Sequence, residues 1–357
     1  MLYPPRPDEL LSSWIIRNSV AHGSDPMGWV YGFWGEWRAW TRDIDRDLPG
    51  DKAARLARFS RLSPETIRDM TLAPAVERML GKTPGVNQAW PWVIPTGRRN
   101  RSVVGGLQFC PECLRGPDPL FPKQWRFSWY TLCPVHGIRL LDRCGRCGLP
   151  FSPHLIDYTA PAVHLCRRCG SDLGSEKSPK PDPRVSALQR ALCRAFSASS
   201  PDEGYSAGWG IKGAVELFLL LRDILTLTVI VARRDRYATW QRILLGREAF
   251  EKPVSKSGLT FDMRSTEERS RLLSLSAAVL ERDPAYLGES LRDIGMTMAS
   301  LEERNFPRSP SMRRALLLLP SRAAIRRSPG RRSGPRSREP RSVEEIEKKM
   351  SSIRRFL

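Results

Sequence analysis

The sequence predicts a mainly α fold interrupted by one stretch of small ribbon-like elements. Two observations carry this. Apolar residues recur at helical spacing on both sides of residues 101–174, and inside those residues seven of the eight cysteines fall, with His136, into pairs two residues apart. A third observation bears on partners: 58 basic against 38 acidic residues give the chain a formal charge of +20. Phosphate contacts release counterions and supply affinity without reading bases, so such a charge points to nucleic acid, with a membrane surface as the competing partner.

The N-terminal elements come first. Asp8 precedes Leu10, Leu11, Trp14 and Ile15, which predicts a short helix after a Pro-rich lead. Trp29–Trp40 holds Trp29, Tyr31, Phe33, Trp34, Trp37 and Trp40. Aromatics at that density can stack on bases, but the better expectation is the core of a small domain with little else to bury. Asp51–Phe59 predicts a helix with Ala54, Leu56 and Ala57 on its inner side. After Ser60–Ser63, Ser63 reads as an N-cap, Pro64 as the first helical residue and Glu65 as a first-turn acid, and the helix continues through Ile67 and Met70. Two short helices around a tight turn, with Arg55, Arg58, Arg61 and Arg68 outside, fit a helix-turn-helix, a pattern that ordinary helical hairpins share.

The paired cysteines follow: Cys110-x-x-Cys113, Cys133-x-x-His136, Cys144-x-x-Cys147 and Cys166-x-x-Cys169. Two such hooks close one tetrahedral site of the sulfur and imidazole donors that zinc prefers, so four hooks predict two Zn2+ ions. Sequential pairing places Cys110, Cys113, Cys133 and His136 on one ion and Cys144, Cys147, Cys166 and Cys169 on the other. Spacing alone leaves a cross-braced pairing of the first hook with the third open. His154 and His164 lie outside the hooks. Four protein ligands leave no position for water, so these sites are structural, and the region is expected to collapse without metal. Disulfides fit poorly, because Met1–Pro5 has no export signal and hooks of this kind read as metal sites in a reducing compartment. The expected location is therefore cytoplasmic.

Ser175–Pro183 reads as a linker. Helical stripes then run over Val185–Phe196, Lys212–Ala232, Tyr237–Phe250 and Glu267–Leu280, as expected of a bundle core. Ile211–Ala232 is cut by Glu216, Arg222 and Asp223, which argues against a membrane span. Cys193 sits on an apolar stripe and reads as a small buried hydrophobe. Ser321–Ser342 holds eight arginines and a single acid, Glu339, among Ser, Pro and Gly. It reads either as a disordered arm that binds phosphates through Arg326, Arg327, Arg331 and Arg332 or as a solvated linker. Val343–Leu357 has the spacing of a short amphipathic helix. The predicted division is 1–100, 101–174, 184–305 and a basic, disordered tail over 306–357.

Several of these residues resemble the TniQ family of transposition proteins, which includes the TnsD-like target selectors. The resemblance rests on Phe109-Cys110-Pro111-Glu112-Cys113, Trp125-Arg126, Cys133-Pro134-Val135-His136-Gly137, Leu140 and Cys144-Gly145-Arg146-Cys147-Gly148. It extends to the opening Pro4–Arg17, with Pro7-Asp8-Glu9-Leu10, Ser13-Trp14 and Arg17. It implies an N-terminal helix-turn-helix joined to tandem zinc fingers, with sequential zinc pairing. It also implies a non-catalytic targeting factor that works beside a transposase and an AAA+ ATPase regulator, on DNA or on a CRISPR RNA-guided complex. The Arg-rich tail falls outside the family's pattern. No phosphate-binding loop of the Gly-x-x-x-x-Gly-Lys-Ser/Thr type occurs, so the chain is not itself the ATPase. The alternative is a zinc-containing DNA-binding regulator with no transposon partner. Monomer and homodimer are both open.

Overall fold

A computed structural model describes residues 2–85, 87–99, 102–117, 119–156, 162–197, 208–233, 235–246, 260–301, 306–307 and 309–321. The described residues all belong to one compact unit, and residues 323–357 lie outside them. Arg326, Arg327, Arg331, Arg332 and the helix expected over Val343–Leu357 therefore also lie outside them. Among the described residues the fold is mainly helical, with four short strands in two antiparallel pairs.

Helix α1 spans Leu11–Ala21, with Leu10 rather than Asp8 before it. No side chain caps it. Its first amides are satisfied by other segments: Leu10 N–H donates to Phe121 O (3.0 Å) and Leu11 N–H to Met70 O (3.0 Å). Helix α2, Pro26–Trp34, is capped by Asp25, which accepts from Gly28 N–H. The Trp-rich segment is core, as expected: Trp14, Val30, Phe33 and Trp34 are buried in one cluster, with Trp29, Trp37 and Trp40 packed against it. Tyr31 is the departure, at 61% exposed.

Helix α3, Gly50–Ser60, buries Leu56 and packs Ala53 and Ala57 against the same cluster, while Ala54 is exposed. The expected inner face was thus wrong by one position. Ala53 lies three residues before Leu56 and shares its side of the helix, whereas Ala54 lies two before and points away. Arg61 closes α3 in a left-handed conformation (φ 60°). Ser63 then accepts from Thr66 N–H to cap α4, Pro64–Asp69, with Pro64 and Glu65 where the sequence placed them. A further helix, α5 (Ala73–Leu80), follows and ends on left-handed Gly81.

Strands β1 (Thr96–Arg99) and β2 (Ser102–Gly105) form a hairpin, and the short pair β3 (Leu132–Cys133) and β4 (Ile138–Arg139) lies beyond α6 (Pro111–Leu114). Ser175–Pro183 is linker in composition but docked in structure. Glu176 accepts from Gly145 N–H, Arg139 N–H donates to Pro179 O, and Asp182 accepts from the Ser274 hydroxyl.

The C-terminal helices are α7 (Pro183–Ser197), α8 (Ala214–Ala232), α9 (Tyr237–Leu245), α10 (Thr266–Leu280), α11 (Pro284–Asp293), α12 (Met298–Leu301) and α13 (Pro310–Leu316). Helix α9 stops on left-handed Gly246, earlier than Phe250, and residues 247–250 are outside the described set. Helix α10 opens on a full capping box of Ser265 and Glu268. Helix α13 corrects the expected start of the tail at 306. Ser309 caps it and donates its N–H to Asp223 (2.7 Å), while Met312, Ala315, Leu316 and Leu319 are buried.

One apolar cluster runs from Leu10 to Leu319. Buried polar residues fasten its parts. Gln108 donates to the carbonyls of Trp125, Phe127 and Tyr130 and accepts from Thr266 and Arg269 of α10. Arg269, wholly buried, also donates to Ser128 O and Arg264 O, and burial pushes its guanidinium down to about 10.

Candidate metal centres and helical hairpin

Each cysteine hook is set by its own local backbone. In the first, Cys110 precedes α6 and its carbonyl accepts from Leu114 N–H (3.1 Å), so a helical turn carries Cys113 back beside it. The other three hooks are tight knuckles closed by a glycine. Gly137, Gly148 and Gly170 donate to the carbonyls of Cys133, Cys144 and Cys166 at 2.9, 2.8 and 2.8 Å. All three have φ between 63° and 69°, a conformation that favours glycine.

The knuckles bring the eight donors into two groups in sequence order. Cys110, Cys113, Cys133 and His136 form one, and Cys144, Cys147, Cys166 and Cys169 the other, with ligand atoms within 4.8 Å of one another in each. In the first, His136 Nδ1 lies 3.4, 3.4 and 3.5 Å from the sulfurs of Cys110, Cys113 and Cys133, and Cys113 and Cys133 are 3.8 Å apart. In the second, Cys144–Cys169 and Cys147–Cys166 measure 3.7 and 3.5 Å. A tetrahedron of about 2.3 Å Zn–S and 2.0–2.1 Å Zn–N bonds has edges of about 3.5–3.8 Å. The donor sets therefore fit zinc in size and in chemistry. The cross-braced alternative does not occur in this fold: the first hook meets the second, not the third.

The thiols are tuned by their neighbours. In the first group, hydrogen bonds from the Cys110 and Cys113 thiols hold Cys133 well below the usual thiol range. In the second, burial pushes Cys166 up, but the N–H groups of Arg168 and Cys169 and the thiols of Cys147 and Cys144 bring it down to about 7. Each group thus presents one sulfur predisposed to the thiolate that a metal needs. His154 belongs to neither group. It stacks on Trp40 (centroids 5.0 Å, planes 17° apart), and burial depresses it to about 4. Cys193 is half-buried, and burial raises its thiol to about 11. No helix among the described residues is long and apolar enough to cross a membrane.

In the helical hairpin, Arg55 and Arg58 on α3, Arg61 in the turn and Arg68 on α4 are all exposed. Arg68 pairs with Glu77 of α5 at 3.0 Å.

Sequence reasoning missed the polar frame that joins α1 and the segment before α3 to the chain between the first two cysteine hooks. Arg126 is wholly buried and donates to Asp43 (2.8 and 2.7 Å), Asp45 (2.9 Å) and Ile94 O (3.0 Å). Ser12 donates to Asp45 through its N–H and its hydroxyl. Burial raises the Asp45 carboxyl against the pull of Arg126. The opening segment is pinned likewise. Buried Glu9 accepts from Ser13, Arg17 and Arg6 N–H, and Ser13 in turn accepts from Phe121 N–H (2.9 Å). Glu9, Ser13, Arg17 and Arg126 are residues on which the family resemblance rests, and what they do here is fasten the N-terminal helices to the metal-bearing stretch.

No curated protein sequence matches the chain. The sequence profile of the TniQ family matches residues 1–140, a span that takes in the helical hairpin, the Arg126 frame and every donor of the first metal site. Over those residues the chain is similar to the TniQ family.

Proposed function

We propose that the chain is a non-catalytic targeting adaptor for DNA transposition, linking a target site to an AAA+ ATPase regulator. The single observation that carries this is the TniQ match over residues 1–140. That family implies a transposition-related targeting role. The geometry is compatible with it: two full donor sets act as staples, and the exposed arginines of the hairpin face solvent. In this reading Cys110, Cys113, Cys133, His136, Cys144, Cys147, Cys166 and Cys169 hold two zinc ions. Arg55, Arg58, Arg61 and Arg68 meet DNA phosphates, and Arg326, Arg327, Arg331 and Arg332 supply a second set of contacts. The target is DNA itself or an RNA-guided complex bound to it.

The test is affinity capture of the tagged full chain from its native host, read for an AAA+ ATPase. Capture of that ATPase, lost when Arg126 is replaced by Met, is the expected result. Duplex DNA binding with no ATPase capture would instead return a zinc-containing DNA-binding regulator without a transposon partner.

A further inference from the structure

The second metal group lies beyond the residues matched by the TniQ profile. Its two knuckles read Cys144-Gly145-Arg146-Cys147 and Cys166-Arg167-Arg168-Cys169, so three of the four residues between paired ligands are arginine. All three are exposed, and none of their side chains makes a hydrogen bond or ion pair with the described residues, while the N–H groups of Arg146 and Arg168 face the sulfurs of Cys144 and Cys166.

Arg167 and Arg168 line a cleft of about 1110 Å3 together with Arg139, Arg143, Lys177 and residues 265–268. The acids of that cleft are committed within the fold. Asp142 pairs with Arg143, Glu267 with Arg271 and with Arg139 of the same cleft, Glu268 pairs with Arg264 and accepts from Ser265 N–H, and Glu176 accepts from Gly145 N–H. Arg167, Arg168 and Lys177 have no such partner among the described residues, so the uncompensated charge of the cleft is positive.

We propose that this lobe is a second DNA contact, in which Arg146, Arg167 and Arg168 grip phosphates of duplex DNA. A guanidinium offers a planar fork that matches a phosphate, and arginines on metal-closed knuckles are held at fixed spacing before binding. Exposed arginines with no amide nest around them suit a run of phosphates rather than one buried anion. Duplex DNA presents about one charge per 1.7 Å of axis. Contacts to phosphates position a protein on the duplex without reading bases, so the contact proposed here is independent of sequence. The proposal rests on the reading that the chain contacts DNA, and adds to the hairpin a site outside the family region.

The experiment measures full-chain binding to a duplex of arbitrary sequence across a salt series. Replacing Arg146, Arg167 and Arg168 together by Ala is expected to weaken binding at least tenfold and lower the salt slope by about 2–3. Metal content and far-UV circular dichroism should be unchanged, and the triple Lys variant should recover most of the affinity. An unchanged slope in the Ala variant overturns the proposal, as does a loss seen with duplex RNA but not with DNA. Absence of duplex binding by the unaltered chain also overturns it, while leaving the adaptor reading to the ATPase capture.

Discussion

The two metal groups use the same spacing but sit differently in the molecule. The first is woven into the core. Phe109 and Leu141, which flank it, exchange backbone hydrogen bonds of 2.7 and 2.8 Å, Cys110 and Cys133 belong to the main apolar cluster, and Arg126 and Gln108 bind the intervening chain to helices on either side. The second is nearly symmetrical. Two glycine-closed knuckles face each other, each beside a short bridge, Arg143 to Pro150 and Leu165 to Asp172. Its Cys144 and Cys166 belong to the same apolar cluster, and it is attached by the Glu176 strap, the stack of His154 on Trp40 and the packing of Phe151 on Phe109 and Phe121. The first staple is therefore framed by buried polar ties to distant segments, and the second by ring packing and a surface strap.

The most direct way to break this comparison is to remove one ligand from each site. Cys133→Ser should cost most of the fold, since a structural zinc contributes on the order of 10 kcal/mol and the first site is shared by several elements. Cys166→Ser should lose one ion per chain yet keep its helical circular dichroism and its cooperative unfolding. Equal loss of helix in both variants would erase the distinction.

A smaller effect isolates the frame from the metal. Arg126→Met leaves two buried carboxylates together, Asp43 with only Arg46 and Asp45 with only Ser12, and should cost about 3 kcal/mol in denaturant unfolding while both ions remain bound. A cost below about 1 kcal/mol would show that the frame does not stabilise the first site.

The smallest effect sharpens the attachment of the second lobe. The imidazole of His154 falls from 6.5 to about 4 on folding, so the unfolded chain takes up its proton first. Its contribution is full above pH 6.5 and is lost as pH falls from there towards 4, roughly 2 kcal/mol once its partial exposure is allowed for. His154→Phe keeps the stack and removes the proton. Stability curves of variant and parent should converge at neutral pH and separate over that window, and parallel curves would refute the assignment.

Local signals were the legible part. The Ser63-Pro64-Glu65 cap, the helical stripes of α7, α8 and α10 and the four hooks could be read because each lies within a few residues. Even the knuckle glycines were in plain view, one residue after His136, Cys147 and Cys169. Ala54 was misplaced because a helix whose only buried residue is Leu56 carries too thin a stripe to fix its rotation. The frame was out of reach for another reason. Arg126 meets Asp43 across 83 residues, and Arg269 meets Gln108 across 161, and nothing in a single sequence marks which of many charged residues are buried together. The docked strap of Ser175–Pro183 was hidden because its Pro, Lys and Ser content is the same whether the segment hangs free or lies against a surface.

The order of pairing bears on how the chain assembles. Cys110 meets His136 over 26 residues and Cys144 meets Cys169 over 25. Each ion closes a loop drawn from one contiguous stretch, and neither waits for donors held by the other. A chain emerging from the ribosome can complete the first staple before the second hook pair exists, and both before α7 is made. Short loops are cheap to close, so the metal-bearing stretch is ready as a seed on which the long-range contacts of Arg126 and Arg269 later settle.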